Sequence, residues 1–421
     1  MDSGGGWRPP RSLIEAAEQK RPFIGSVFEA VRTIREEMSA KLGEAERKIR
    51  SLPYRGPGSV AHAAEDGGSG SVDFEFYTVY GVKAWAASFR PNGSGEYLVM
   101  QEARIADIGI VLPAGEEDTR IRFYRETLEA WASRQVIRGS PRGILLLWDG
   151  NLTALLSGRK PWTSEARLKT IIDDAKRLLG LSSVDEVVRG VVEKHSSRPL
   201  SVSELVYEYV LPAGDRERKH LVAGFLEWLE KLESIRLLFQ EAFARGAAPV
   251  FIAKTNRSRS LLNGAFPDVY YLREAASKRL GGDQPFYTEP RARLGAIELE
   301  AGEVKPGRDC SLKYYFPEPY GSYFGCEIAV IDFYARLDPG GPILRVERAY
   351  PISEADLVDP EWRRNAVEET IELIQGLPRR SGYPYPLLTA HRQASLSRDE
   401  LYAAVRVLGL GAERLGRGML S

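Results

Sequence analysis

The sequence predicts a mixed α/β fold in which a central sheet is flanked by helices. Aromatic and β-branched residues alternate over residues 71–90, and the pattern continues over 96–112, which indicates strands. Helical spacing over 119–139 precedes the apolar run Ile144–Trp148, which indicates a helix followed by a buried strand. A hairpin-rich sheet followed by a helix and a buried strand favours a mixed sheet over one that is parallel from its start.

The N-terminal segment, residues 1–55, is predicted to be a unit of its own. It begins with a loose tail over 1–10 and continues as a long amphipathic helix over 12–52, in which apolar residues recur with helical period. The apolar stripe of this helix could bind a partner or a second copy of the chain, or it could pack on the rest of the protein. Both alternatives stay open.

The first strands are predicted to form a hairpin entered through a glycine-rich turn. Asp66-Gly67-Gly68 precedes the aromatic segment, and consecutive glycines are typical of a turn. A second turn is predicted near Gly81, with the next strand starting at Val82. These glycines are therefore expected to lie between strands.

Residues 56–421 are predicted to form the main domain, with a helical insertion at about 163–245. Segments of this insertion repeat apolar residues at spacings of three and four. The pattern beyond the insertion predicts strands at 248–255, 311–317, 326–338 and 343–351, a helix near 361–377, a helix entered through the Pro-rich segment 382–386, and a final helix capped by Ser397.

Charge and composition exclude several classes of protein. Lys+Arg and Asp+Glu both total 58, so no overall field draws the chain to nucleic acid or an anionic membrane, and a polyanionic partner would have to meet a local basic face. No apolar stretch approaches a membrane span and no signal-peptide core begins the chain, so we expect a cytoplasmic protein. The two cysteines, Cys310 and Cys326, exclude a CxxC zinc site, and whether they pair stays open.

Acidic residues occur at three positions that could belong to one site. Asp149-Gly150 ends the buried run, Asp66 precedes the aromatic strand, and Glu126 and Glu129 share a helix face. Each has a plainer interpretation as a turn residue or a surface glutamate. Carboxylates that converge need divalent cations to offset their repulsion, and oxygen ligands favour Mg²⁺ or Mn²⁺. Two such ions, about 3.5–4 Å apart, are the usual apparatus for phosphodiester hydrolysis.

Four blocks of the sequence together resemble the NurA nucleases, the archaeal enzymes of DNA end resection. They are Asp66-Gly67-Gly68 before a strand, the helical ETLE that ends at Glu129, the strand-ending DGNL that starts at Asp149, and GYPYPLLTAH over residues 382–391, which is the most specific. IAKTNRSRSLL and FPDVYYL add weaker support. The similarity is one of order and spacing over nearly the whole chain.

The resemblance implies an RNase H-like core and a manganese-dependent nuclease that acts on single-stranded DNA and DNA ends at double-strand breaks. It also implies a homodimer and a partnership with HerA, a hexameric DNA translocase. By this resemblance, the metal-binding carboxylates of the family correspond to Asp66, Glu129 and Asp149. The C-terminal pair of the family corresponds to Tyr383 and His391.

Two residues depart from the family's pattern. Glu65 precedes Asp66 where an apolar residue is usual, and Asn151 follows Asp149-Gly150 where the family often has Ser. The loop between the helix and the buried strand is also longer here, so Glu126 remains the alternative to Glu129.

The C-terminal and basic candidates have physical roles that do not depend on the family. His391 could supply a proton or orient a phosphate near neutral pH, or it could be an ordinary histidine. Tyr383 could contact a phosphate, stack on a base, or only pack the Pro-rich turn. Lys254, Arg257 and Arg259 come at the end of a core strand, where they are expected to meet DNA phosphates; a solvated charge cluster is the alternative.

Two other classes of function compete with the metal-dependent nuclease. An actin-like ATPase or sugar kinase also uses Asp-Gly turns after strands to cradle phosphates, but it needs a Gly-rich adenosine loop, for which Arg279–Pro285 is a poor substitute. A non-catalytic assembly subunit would bind a ring partner through its helices and keep the acids as remnants.

Overall fold

The computed structural model describes residues 11–53, 60–74, 77–92, 96–157, 162, 164–212, 218–254, 257–294, 297–298 and 316–410. Its helices are α1 (Arg11–Lys48), α2 (Glu117–Gly139), α3 (Leu152–Ser157), α4 (Glu165–Leu179), α5 (Val184–Ser197), α6 (Ser203–Leu205), α7 (Lys219–Ala244), α8 (Asp268–Leu280), α9 (Tyr320–Ser322), α10 (Pro360–Gln375), α11 (Tyr385–Ala394) and α12 (Arg398–Val407). Its strands are β1 (Ile49–Ser51), β2 (His62–Asp73), β3 (Thr78–Pro91), β4 (Tyr97–Val111), β5 (Leu145–Asp149), β6 (Ala248–Ala253), β7 (Phe286–Thr288), β8 (Arg291–Leu294), β9 (Ile297–Glu298), β10 (Ile328–Arg336), β11 (Leu344–Pro351), β12 (Arg379–Arg380) and β13 (Tyr383–Pro384).

One mixed sheet of eleven strands forms the centre of the protein. Its main path has the order β1-β7-β10-β11-β6-β5-β2-β3-β4, and β8 and β9 extend it beside β10. The central strands β2, β5 and β6 are parallel, whereas β3, β4, β10 and β11 pair antiparallel with their neighbours. The prediction of a mixed sheet flanked by helices is confirmed, while the RNase H-like assignment stays a prediction.

Helices cover both faces of the sheet because its central strands are apolar on both sides. In β5, Leu146 and Trp148 face the core formed with α2, α4, α5 and α7, whereas Leu145 and Leu147 face the core formed with α10 and α11. The long helices of the predicted insertion therefore complete one of the two main cores.

The N-terminal helix is anchored over its second half. Met38, Leu42 and Ala45 pack with α8, and β1 then pairs with β7, so this segment contributes a strand to the main sheet. Nearer the start of α1, Phe23 and Phe28 are 64% and 69% exposed. Of the two alternatives left open for the apolar stripe of this helix, packing on the rest of the protein is therefore confirmed for the second half of α1.

The turn predicted near Gly81 is wrong. β3 runs unbroken through Gly81, which pairs with Gly70 of β2, and the hairpin is closed earlier, where the backbone N–H of Phe74 donates to the carbonyl oxygen of Tyr77. Glycine makes room at this position, because a Cβ on Gly81 would lie 2.9 Å from the side chain of Leu401 in α12.

The glycine-rich turn predicted at Asp66-Gly67-Gly68 is also wrong, since all three residues lie inside β2. The two glycines face opposite sides of the sheet, as neighbours in a strand must. A Cβ on Gly67 would overlap Oε1 of Glu129 in α2, and one on Gly68 would overlap the carbonyl oxygen of Ala394 in α11. The glycines therefore let two helices approach one strand from both faces.

Most of the other predicted elements are confirmed, with small shifts at their ends. The final helix, α12, begins as predicted at Ser397, whose hydroxyl accepts from the backbone N–H of Glu400 at 3.1 Å, while the Glu400 carboxylate accepts from the backbone N–H of Ser397 at 2.8 Å. The tail over 1–10, most of the strand over 311–317 and Cys310 lie outside the described residues, so whether Cys310 pairs with Cys326 stays open. Within the described ranges, no helix is both long enough and apolar enough to cross a membrane.

Replacing Gly68 by alanine is expected to destabilise the fold by about 1–3 kcal/mol, because the added methyl group must push α11 away from β2. Gly190 in α5 provides the control, since a Cβ there meets nothing within 4 Å. Gly190→Ala is expected to stabilise the helix by roughly 0.5–1 kcal/mol. Denaturant unfolding of both variants measures the difference, and equal effects would contradict the close approach of α11.

Candidate active site

Two aspartates reach the same face of the sheet from adjacent parallel strands. β2 and β5 pair in register up to Glu65 and Trp148, so the next residues, Asp66 and Asp149, are level with each other. The side chains two residues before each aspartate belong to the core beneath α10 and α11, so both aspartates point to that side. The pKa of Asp149 is raised, first by burial and then by the negative charge of Asp66.

Glu129 approaches these aspartates from the opposite face of the sheet. It lies on α2, is buried, and places its carboxylate where a side chain at Gly67 would otherwise be. Arg125, one turn earlier in α2, holds its Nε 3.1 Å from Oε1 of Glu129. Burial raises the pKa of Glu129 to about 7; Arg125 opposes this shift, and the charges of Glu126 and Asp66 add to it.

The structure adds a fourth acid, Glu65, which the sequence presented only as a departure from the family's pattern. Its side chain is fully buried, and neither carboxylate oxygen has a hydrogen-bond partner among the described residues. Burial raises the pKa of Glu65 well above its usual value, and the charges of Glu129, Asp66 and Asp149 raise it further. Its position directly before Asp66, where the family usually has an apolar residue, was the signal for this residue in the sequence. We call Glu65, Asp66, Glu129 and Asp149 the acidic cluster.

Glu126 is buried in an ion-paired environment that differs from that of Glu129. Its carboxylate lies 2.6 Å from Nε of Arg122 and 3.1 Å from Nζ of Lys231, which comes from α7. Burial alone would raise the pKa of Glu126, but Lys231 and Arg122 lower it below its usual value. Glu126 is therefore neutralised by the protein itself, whereas the pKa of Glu129 stays raised by burial despite its ion pair with Arg125.

Tyr383, His391 and Lys254 surround the aspartates on the α11 side. Nδ1 of His391 lies 2.7 Å from Oδ2 of Asp66 and donates a hydrogen bond to this carboxylate oxygen. Nζ of Lys254 lies 4.0 Å from Oδ2 of Asp149 and 5.1 Å from the ring centroid of Tyr383. Burial raises the pKa of Tyr383, and Asp149 raises it further, so this phenol stays protonated at neutral pH.

The structure separates Arg257 and Arg259 from the acidic cluster. Both side chains are exposed, and neither forms an ion pair within the described residues. Lys254 alone of the predicted basic trio contacts the cluster. The other two arginines lie further along the loop, where solvent surrounds them.

The donor set of the acidic cluster fits a hard divalent cation. All of its donors are carboxylate oxygens, which suit Mg²⁺ and Mn²⁺ better than zinc, and both buried oxygens of Glu65 lack a hydrogen-bond partner in the part of the chain that the structure describes. Among the described residues, no group of three or more His, Cys, Asp or Glu side chains has an arrangement that could already hold a metal ion. Binding would therefore require the side chains to turn toward a shared ion.

Comparison with known proteins identifies one family and several similar structures. The NurA domain matches residues 61–396. A crystal structure of the NurA nuclease from Sulfolobus solfataricus is 18% identical, with a TM-score of 0.57, and the alignment covers 95% of this chain and 97% of that one. A crystal structure of NurA with manganese is 17% identical, with a TM-score of 0.58 and coverage of 96% and 99%. No curated protein sequence matches the chain.

A further NurA structure, bound to dAMP and manganese, is 19% identical with a TM-score of 0.52, and the alignment covers 94% of this chain and 98% of that one. At these identities, the structural likeness concerns the fold. The predicted resemblance to the NurA family is confirmed by the match to the NurA domain, which spans more than half of the chain.

The raised pKa of Glu129 predicts how pH affects the stability of the metal-free protein. Its folded pKa of about 7 exceeds the usual 4.5, so the folded state binds this proton more tightly, and stability falls as pH rises between those values. In EDTA at about pH 8, Glu129→Gln is expected to stabilise the fold by on the order of 1–3 kcal/mol, with little effect at about pH 5. Denaturant unfolding at both pH values measures this.

Glu126→Gln is the matched control, and its expected effect has the opposite sign. It leaves Lys231 buried without its carboxylate, so it is expected to destabilise the fold by on the order of 3 kcal/mol at both pH values. Glu129→Gln could instead destabilise the fold at about pH 8, or Glu126→Gln could stabilise it. Either result would contradict the assignment of a raised pKa to Glu129 and a lowered pKa to Glu126.

Proposed function

Because this chain belongs to the NurA family, we propose that it is a metal-dependent nuclease that hydrolyses single-stranded DNA and DNA ends. The observation that carries the proposal is the level placement of Asp66 and Asp149 on adjacent parallel strands, with Glu129 entering at Gly67. Similar NurA structures contain manganese, and one contains dAMP, which supports a divalent cation and a nucleic-acid substrate.

Asp66, Glu129 and Asp149 would hold the metal, as Mn²⁺ or Mg²⁺, and we propose two ions. Glu65 lies beside them as a further oxygen donor. When bound, divalent cations stabilise the negative charge that develops on the phosphate during hydrolysis. The four carboxylates supply the charge that balances them, and their positions on two strands and one helix fix the site on rigid elements.

The residues on the α11 side would orient the substrate and move protons. His391 uses Nδ1 to contact Asp66, so its Nε2 is free to exchange a proton with the leaving or attacking oxygen. Tyr383 stays protonated, so its hydroxyl can donate to a phosphate oxygen. Lys254, between Asp149 and the Tyr383 ring, offers a positive charge to the same phosphate.

The cellular role is proposed from the family alone. It comprises DNA end resection at double-strand breaks, action as a homodimer, partnership with a HerA-type translocase, and a cytoplasmic location. Arg257 and Arg259 are proposed to join Lys254 in binding DNA, because they are exposed cations on the loop that Lys254 begins.

The competing ATPase or sugar kinase finds less support. That interpretation needs Asp66-Gly67-Gly68 to form a phosphate-cradling turn, whereas these residues lie inside β2. The assembly-subunit interpretation treats the acids as remnants. It leaves unexplained why Lys254, Tyr383 and His391 still surround them.

Asp66→Asn and Asp149→Asn are each expected to reduce DNA cleavage by roughly a thousandfold or more, because each removes a proposed metal ligand. Both should fold, and in EDTA they should be at least as stable as the wild type, since they relieve repulsion within the acidic cluster. Cleavage of a labelled single strand with Mn²⁺ measures the loss. Asp173→Asn, at an acid on the exposed side of α4, is the control; cleavage retained at its level in either variant would refute the assignment.

Joint replacement of Lys254, Arg257 and Arg259 by alanine is expected to weaken binding of single-stranded DNA and to flatten its salt dependence. Each lost phosphate contact should reduce the slope of log K against log salt by about 0.7. Binding is measured by fluorescence anisotropy in EDTA over a range of salt concentrations. A slope equal to that of the wild type would mean that these side chains face away from the DNA.

A further inference from the structure

A small hairpin beside the acidic cluster is fixed in place by its turn and by one arginine. β12 and β13 are joined by Ser381 and Gly382, whose φ angles of 52° and 78° are both left-handed, as the tightest hairpin turns require. A Cβ on Gly382 would lie 2.9 Å from the Cα of Gly341, so the turn lies against that loop. Arg379 is buried and donates from Nε to Asp338 at 3.0 Å, which anchors the first strand.

The next residue of this hairpin, Arg380, has an exposed side chain, unlike Arg379. It pairs in register with Tyr383, so the two side chains are on the same face of the hairpin. Arg380 is exposed and forms no ion pair or side-chain hydrogen bond within the described ranges. Arg392, which follows His391 on α11, is likewise exposed and unpaired in that part of the chain.

Arg380 and Arg392 line one groove together with Lys254. Pro342, Ser381, Tyr383 and Leu388 complete its lining, so it contains three cations and no acid. Lys254 links this groove to the acidic cluster, because its Nζ also lies 4.0 Å from Oδ2 of Asp149. In a chain of zero net charge, a groove that is lined by three cations and shares Lys254 with the surroundings of Asp149 is a local basic face.

We propose that Arg380 and Arg392 bind phosphates of the same DNA strand that neighbour the one at the acidic cluster. This inference rests on the proposed function and assigns the path of the substrate on one side of the site. The guanidinium groups can each bind a phosphate through two N–H donors. Pro342 and Leu388 provide an apolar surface for the sugars or bases that lie between those phosphates.

The test compares a strand with a substrate that has only one phosphodiester. Arg380→Ala, Arg392→Ala and the double variant are assayed with a single-stranded oligonucleotide and with bis(p-nitrophenyl) phosphate, both with Mn²⁺. The ratio of kcat/KM for the oligonucleotide to kcat/KM for the small diester is expected to fall roughly tenfold for each arginine, mainly through KM. Arg380→Lys should restore part of the loss, because it keeps the charge but not the two-pronged contact.

Arg364→Ala is the matched control, since Arg364 is an exposed arginine of α10 outside the groove. A parallel fall with both substrates would overturn the inference in favour of a general effect on the site. No fall relative to Arg364→Ala would overturn it as well. Unfolding midpoints of all variants check that they are folded.

Equilibrium binding separates this inference from the proposed function. In EDTA, each arginine variant should weaken oligonucleotide binding and lower the salt slope by about 0.7. If the wild type cleaves neither substrate, the nuclease proposal fails, yet this measurement still decides whether the groove binds a strand. Unchanged affinity and slope would reject the groove as a strand path.

Discussion

Repulsion within the acidic cluster is the constraint on which the rest of the site depends. Four carboxylates from two strands and one helix lie in one largely buried region, where burial first and their mutual repulsion second raise the pKa of Glu65, Glu129 and Asp149, although Arg125, Lys254 and His391 oppose the shift. Side chains with this much like charge would separate if their backbones could move. The parallel pairing of β2 with β5 prevents that, and Gly67 and Gly68 let α2 and α11 close on the strand from both faces.

Helix α7, which lies in the predicted insertion, supports the same site. Lys231 of α7 is buried and has two partners: its Nζ lies 3.1 Å from the Glu126 carboxylate in α2 and donates to the carbonyl oxygen of Leu155 in α3 at 2.7 Å. α2 carries Glu129, and α3 follows Asp149. One lysine therefore ties together the two segments that deliver these acids. The insertion is thus part of the scaffold that resists their repulsion.

The sequence was informative wherever a local pattern decides the outcome. The apolar run before Asp149 and the helical spacing around Glu129 predicted a strand end and a helix face, and both are present. Glycines at 67 and 68 look the same locally whether they turn the chain or admit a helix, so their role depended on α2 and α11, which are distant in sequence. The distinction between Glu126 and Glu129 likewise depended on Lys231, about one hundred positions away in the sequence. The role of Glu65 could be recognised only from the acids that lie near it in the folded chain.

Zero net charge conceals a strong separation of charge around the site. The acidic cluster forms the floor of the site, and Arg380 and Arg392, on β12 and α11, form a basic rim. Lys254 lies between the floor and the rim. Without a metal, the floor repels a phosphate while the rim attracts it. Bound divalent cations would offset the negative charge of the floor, so that it would no longer repel the strand that the rim attracts. Metal binding and strand binding should therefore favour each other, because each relieves a charge imbalance that the fold holds in place.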